Sequence, residues 1–225
     1  MRTRRAALAL LSSAALGLLA APAVAVAATD AEADAVTFFR AIQLDDDVAV
    51  KAVLARGLDP NVREPGRGET GLIVAMRYDA MKIANLLLAH PKLKIDEQAP
   101  NGNTALMMAA FQKNKNAVMA MLAKGAQVNR PGWTALHYAV AAGDLDIMKL
   151  LLERSAYIDA ESPTGTTPLM LAAREGQEEA VQLLLEEGAD ASLKDRAWKE
   201  NAAEFAIRAQ KPWIAEQIRR YPGRK

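Results

Sequence analysis

Two stretches of this chain say nearly the same thing: "GWTALHYAVAAGDLDIMKLLL" at 132–152 and "GTTPLMLAAREGQEEAVQLLL" at 165–185. A fixed period of roughly 33 residues constrains the fold more than composition can. A unit so short cannot bury its own apolar face. Successive copies must therefore stack and share one continuous core.

The period extends in both directions. A Thr followed five residues later by Ala marks each copy: Thr70 and Ala75, Thr104 and Ala109, Thr134 and Ala139, Thr167 and Ala172. Asn201 and Ala206 continue the series, and Val36 and Ala41 give a fainter first copy. The spacing of successive anchors is nearly constant, except that Thr104 and Thr134 stand closer together than any other pair. A second landmark begins at one fixed distance after each anchor but the last, as "AVL" at 52–54, "LLL" at 86–88, "AML" at 120–122, and "LLL" at 150–152 and 183–185. Glycines follow at Gly57, Gly125 and Gly188.

Each landmark has a physical reason. Thr caps a first helix, and Pro168 sits where a missing amide hydrogen costs nothing. The small pairs Ala109–Ala110 and Ala172–Ala173 let helices of adjacent copies approach closely. Ile147, Leu150 and Leu151 form one stripe of a second helix. The glycines supply the left-handed residue that ends it. Two short helices and an extended connection, six times over, is the expected unit.

At "GWTALHYAVAAGD" and "GTTPLMLAAREGQ…LLLEEGADAS" the chain resembles the ankyrin-repeat family, whose signature is G-x-T-P-L-H-x-A-A-x-x-G followed by L-L-x-x-G-A-D. The likeness covers about residues 34–221 and is strongest in the third to fifth copies. It implies an all-α solenoid of about six helix-turn-helix repeats, near 34–62, 66–97, 99–130, 131–160, 163–194 and 197–221, capped at both ends. Departures carry information. Pro91 and Ser155 stand where other copies have the helix-ending glycine, and the turn "NRPGWT" is three residues short, predicting a notch in the edge of the stack. "LDDDVAVKAVLARGLDPN" and the polar "WIAEQIRR" read as amino- and carboxy-terminal caps.

The start of the chain reads differently. "MRTRR", "AALALLSSAALGLLA" and "APAVAVAA" follow the basic, apolar and small-residue order of a secretory signal peptide. Cleavage is expected after Ala27 or Ala28, leaving residues 29–225 as the repeat domain. "TRRAAL" half-matches a twin-arginine signal, and the general secretory route is favoured. With the repeats, this resembles exported, periplasmic ankyrin-repeat proteins of Gram-negative bacteria. The chain has no cysteine, so neither a lipid-bearing cysteine nor a disulfide scaffold is available. Losing Arg2, Arg4 and Arg5 would leave 25 basic against 27 acidic side chains, a net charge of −2. That balance argues against nucleic-acid binding. Without a second long apolar run, the mature form is expected outside the membrane and monomeric.

Few residues offer chemistry. His90 and His137 are the only histidines, and no catalytic triad order, phosphate loop or zinc-spaced cluster appears. No catalysis and no cofactor are expected. His137 stands at the histidine of the Thr-Pro-Leu-His segment, where the resemblance implies a structural hydrogen bond between neighbouring turns. His90 reads as a solvated side chain at a helix end. Met107, His137 and Met170 share one column, which raises copper(I) handling as the alternative function; core filling accounts for the methionines more simply. The acidic run "LDDDV" at 44–48 reads as serving the positive end of the following helix.

The resemblance implies that a partner protein is held by the turn tips and by the exposed ends of the first helices. Positions seven and eight after the anchor include Arg77, Tyr78, Phe111, Gln112 and Arg174; the position before it includes Asn103 and Trp133. With Arg67 on a turn, these eight form the expected partner-binding strip on a concave face. Exposed aromatics beside arginine have the composition of interface hot spots. Trp133 has two readings: partner contact, or packing over the short turn onto Tyr138. Trp198 is expected to close the carboxy-terminal cap.

Overall fold

The computed structural model describes residues 21–221. The expected signal peptide, residues 1–28, lies outside the described residues except for 21–28, whose backbone begins the first helix.

Twelve helices among the described residues fall into six consecutive pairs. The pairs are α1 (Ala21–Gln43) with α2 (Asp47–Ala55), α3 (Gly71–Arg77) with α4 (Met81–Leu88), and α5 (Ala105–Phe111) with α6 (Lys115–Ala123). They continue as α7 (Ala135–Ala142) with α8 (Leu145–Glu153), α9 (Pro168–Glu175) with α10 (Glu178–Glu187), and α11 (Ala202–Arg208) with α12 (Pro212–Arg220). A single β-bridge, Arg63 to Thr70, is the only strand-like pairing among the described residues. The molecule is an all-α repeat solenoid, as the period predicts.

The caps explain why such short helices form. Thr104 and Thr167 accept from the backbone N–H of Met107 and Met170, both at 3.3 Å. Asn201 and Glu204 exchange bonds in a capping box, with Asn201 N–H donating to Glu204 at 2.7 Å. Second helices are capped by Asp46, Asn114 and Asp144; Asp46 belongs to the acidic run. Helices of seven to nine residues would not persist alone. Burial holds them: Ile83, Leu87, Val118, Met121, Ile147, Leu151, Val181 and Leu184 are sealed from solvent, each contributing about 2 kcal/mol.

Left-handed residues end both helix types. Gly57, Gly125 and Gly188 have φ of 104°, 86° and 98°, and Ser155 takes φ 61° where those copies have glycine. Pro91 cannot do so, and in that copy the segment "HPKLKID" carries the extra residue that absorbs the difference.

Neighbouring copies are tied along the outer turns. Asn61 accepts from Lys94 N–H at 2.8 Å, Asp96 from Gln127 N–H at 2.9 Å, Asn129 from Tyr157 N–H at 2.7 Å, and Asp159 from Asp190 N–H at 3.0 Å. The ion pairs Arg63–Glu97 and Arg196–Glu161 also cross between copies. First helices pack against one another much more closely than second helices do. That difference curves the stack toward the first-helix side.

Most turns close with one backbone bond: Glu64 N–H to Glu69 O, Ala99 to Asn103, Ser162 to Thr166, and Asp195 to Glu200, all 2.9–3.0 Å. The short turn before Thr134 has no such closing bond among the described residues. This is the turn that the close anchors Thr104 and Thr134 shorten.

Candidate functional site

The turn residue before each anchor and the residue seven places after it reach the same face, because a helix of seven or eight residues lies between them. On this first-helix face Tyr78, Phe111 and Trp133 are 51%, 46% and 36% exposed. Burying such rings is where an interface gains most.

The two ends of the face differ from its middle. In the second copy Glu69, only 2% exposed, pairs with Arg77. In the sixth, Glu200 lies 2.9 Å from Arg208, whose guanidinium also stacks 3.7 Å over the Trp198 ring. Both pairs join the residue before the anchor to the residue seven after it. The middle copies carry Asn103 and Phe111, Trp133 and Ala141, Thr166 and Arg174 at those places. Self-neutralised ends thus flank an aromatic centre.

That centre contains a pocket of about 180 Å³ walled by Phe111, Trp133, His137, Tyr138, Leu171 and Arg174. Phe111 meets Tyr138 edge-on at 6.1 Å, and Trp133 meets His137 edge-on at 5.1 Å. Trp133 therefore packs on His137, while Tyr138 packs on Phe111, and the indole stays partly exposed.

The polar atoms behind these rings are engaged. Tyr138 donates its hydroxyl to Asn103 Oδ1 at 2.5 Å, and burial pushes its phenol pKa up. His137 Nδ1 lies 2.9 Å from Thr134 Oγ1 and accepts from Thr134 N–H at 3.3 Å. Its Nε2 lies 3.0 Å from Thr166 O, which fits a neutral ring with the proton on Nε2 donating to the carbonyl of the next turn. Burial lowers its pKa to about 4. This is the structural bond between neighbouring turns that the family resemblance implied.

The eight expected residues divide accordingly. Tyr78, Phe111, Trp133 and Arg174 present surface, and Phe111, Trp133 and Arg174 meet in one pocket. Arg174 donates from Nε to its neighbour Glu175 at 2.9 Å. Arg67 is exposed at the second turn tip. Arg77, Asn103 and Gln112 are spent on the fold itself: Arg77 on Glu69, Asn103 on Tyr138, and Gln112 on Arg77 O at 3.1 Å. Tyr138 and Leu171 belong to the site without having been expected. Both lie four places after their anchors, in the column Val74, Met108, Tyr138, Leu171 and Phe205, and an aromatic in the middle of that column was the available signal.

Trp198 packs edge-on against Phe205 at 5.9 Å yet remains 57% exposed, so it covers the last copy without being sealed in it. Met107 and Met170 are buried in the core. Among the described residues no three His, Cys, Asp or Glu side chains gather as metal ligands. His90 Nδ1 accepts from Lys92 N–H at 3.2 Å at its helix end. No helix among the described residues is long and apolar enough to cross a membrane.

Known proteins share this architecture in part. Protein glp-1 of Caenorhabditis elegans is 37% identical over 165 residues, 66% of this chain and 13% of that protein. The human SH3 and multiple ankyrin repeat domains protein 2 is 33% identical over 150 residues, 65% of this chain and 8% of its own length. The human transient receptor potential cation channel subfamily A member 1 is 28% identical over 160 residues, 66% of this chain and 14% of the channel. The chain thus spans a small part of each. A family model described as ankyrin repeats, in three copies, matches residues 38–131 and 127–195. With six stacked helix pairs bearing the same signature, the chain belongs to the ankyrin-repeat family.

Proposed function

We propose that this chain is a non-catalytic module that works in the periplasm and holds a partner protein on its first-helix face. The family is one of protein-interaction modules. The observation that carries the reading here is the pocket at the centre of that face, where exposed Phe111 and Trp133 stand over half-buried Tyr138 and buried Leu171. A preformed surface of short, buried helices loses little freedom on binding. Export rests on the leader-like order of the first 28 residues. The working unit is a monomer.

Co-purification from the periplasmic fraction tests both halves of the reading. Full-length chain should accumulate there, and a chain lacking residues 2–20 should not. Wild type should retain its partner, and the Tyr78→Ala/Trp133→Ala double variant should lose it while keeping its helical circular dichroism. Retention of every partner at full yield by the folded double variant would place the contact on another face.

A further inference from the structure

The pocket at the centre of the face has a size and a charge setting that specify what enters it. Its volume, about 180 Å³, falls below the few hundred Å³ usual for small-molecule sites. One apolar side chain is the natural occupant. The walls offer that side chain rings and a leucine, and both nitrogens of His137 and the hydroxyl hydrogen of Tyr138 are already bonded.

The charged side chain in the pocket wall, Arg174, is positive. Arg130, on the short turn leading to Trp133, makes no ion pair or hydrogen bond among the described residues, and neither does Lys199 on the last tip. The acids nearby are already matched. Glu69 and Glu200 face Arg77 and Arg208, Glu161 faces Arg196, and Glu175 faces Arg174 across an exposed contact that water screens. Asp195 is fully buried and accepts from the N–H groups of Ala197, Trp198 and Glu200. That leaves Arg130, on the turn before Trp133, without a partner among the described residues, and Arg174 held only by the exposed contact to Glu175.

We infer that the pocket receives one leucine-sized apolar side chain from an extended acidic segment of the partner, with Asp or Glu on either side meeting Arg130 and Arg174. This inference rests on the interaction reading above and gives the partner its chemistry. The apolar side chain supplies contact area, and the carboxylates supply orientation and a salt-dependent on-rate.

Selection of displayed random peptides on the full chain, followed by titration of the recovered sequences as synthetic peptides, tests it. The expected consensus is a Leu, Ile, Met or Phe flanked by Asp or Glu. Affinity should fall about tenfold or more for Trp133→Ala and for Arg174→Glu, as for central interface residues. It should weaken with added salt, and hold for Tyr157→Ala on the outer turns. Arg174 is exposed, so its variant keeps the fold and remains informative if Trp133→Ala does not. Peptides that need Tyr78 and Trp133 but carry no acid overturn this inference and leave the interaction reading standing. An empty selection, or peptides indifferent to the whole face, removes both. Self-association abolished by Arg174→Glu, seen by sedimentation, would make a second copy the occupant and overturn the acidic segment.

Discussion

Protonating His137 would keep its Nε2 bond to Thr166 but end the acceptance by Nδ1 from Thr134 N–H and leave a charge buried. The ring's folded pKa of about 4 lies below the ordinary 6.5, so between those values the unfolded chain binds a proton that the folded chain refuses. Stability is therefore unaffected above pH 6.5 and declines as pH falls from 6.5 toward 4, by about 3 kcal/mol in all. Thermal melts from pH 7 to 4 should show this decline, and the difference between wild type and His137→Gln isolates it from the carboxylates. A difference that is flat with pH would mean that the ring titrates normally. Ser155 offers a prediction of opposite sign. A left-handed residue costs about 1–2 kcal/mol with a side chain, and glycine's extra freedom in the unfolded chain returns about 0.5–1 kcal/mol. By that difference, Ser155→Gly should stabilise by about 0.5–1 kcal/mol in urea titration, with Asn129 still bonded to the carbonyl at that position.

Among the elements, the first-helix starts show how neighbouring copies dictate one another's residues. Ala105, Ala135, Pro168 and Ala202 open four of these helices, and Gly71 opens another. A Cβ at Gly71 would lie 2.5 Å from the ring of Phe38 on α1, so Gly71→Ala must displace that ring. The expected cost is about 1–3 kcal/mol, read as a lower denaturation midpoint, with residues of α1 losing amide protection first. An unchanged midpoint would mean that α1 gives way freely. At this scale the sequence was most legible. Repetition fixes where helices begin and end, because capping Thr104 and Thr167 and terminal Gly125 and Gly188 recur in register. The short turn before Thr134 was readable from an anchor that arrives early. Side-chain commitments were less readable. Arg77 looks like a free cation until Glu69 is seen across the turn, and Asn103 like a free amide until Tyr138 arrives from the next copy. Comparing the columns before the anchor and seven after it, where Glu and Arg occur together at 69 and 77 and at 200 and 208, would have exposed the first. The second depends on a contact with the following copy that no local pattern encodes.

For the molecule as a whole, stability comes from neighbours. Each inner copy is covered on two sides, and each end copy on one. Hydrogen exchange should therefore be slowest in the buried stripes around Met121, Ile147 and Val181 and progressively faster toward α1 and α12. Uniform protection along the chain would show a single cooperative unit instead. The matched pairs at the two ends of the face, Glu69 with Arg77 and Glu200 with Arg208, set a limit on what can lie there. A bound chain running over them would strip water from charges that are already paired and gain little in return. They act as bookends: beyond the central modules contact is left to side chains beside the pairs, such as Tyr78, and lengthening a ligand over the pairs themselves adds mass without adding grip.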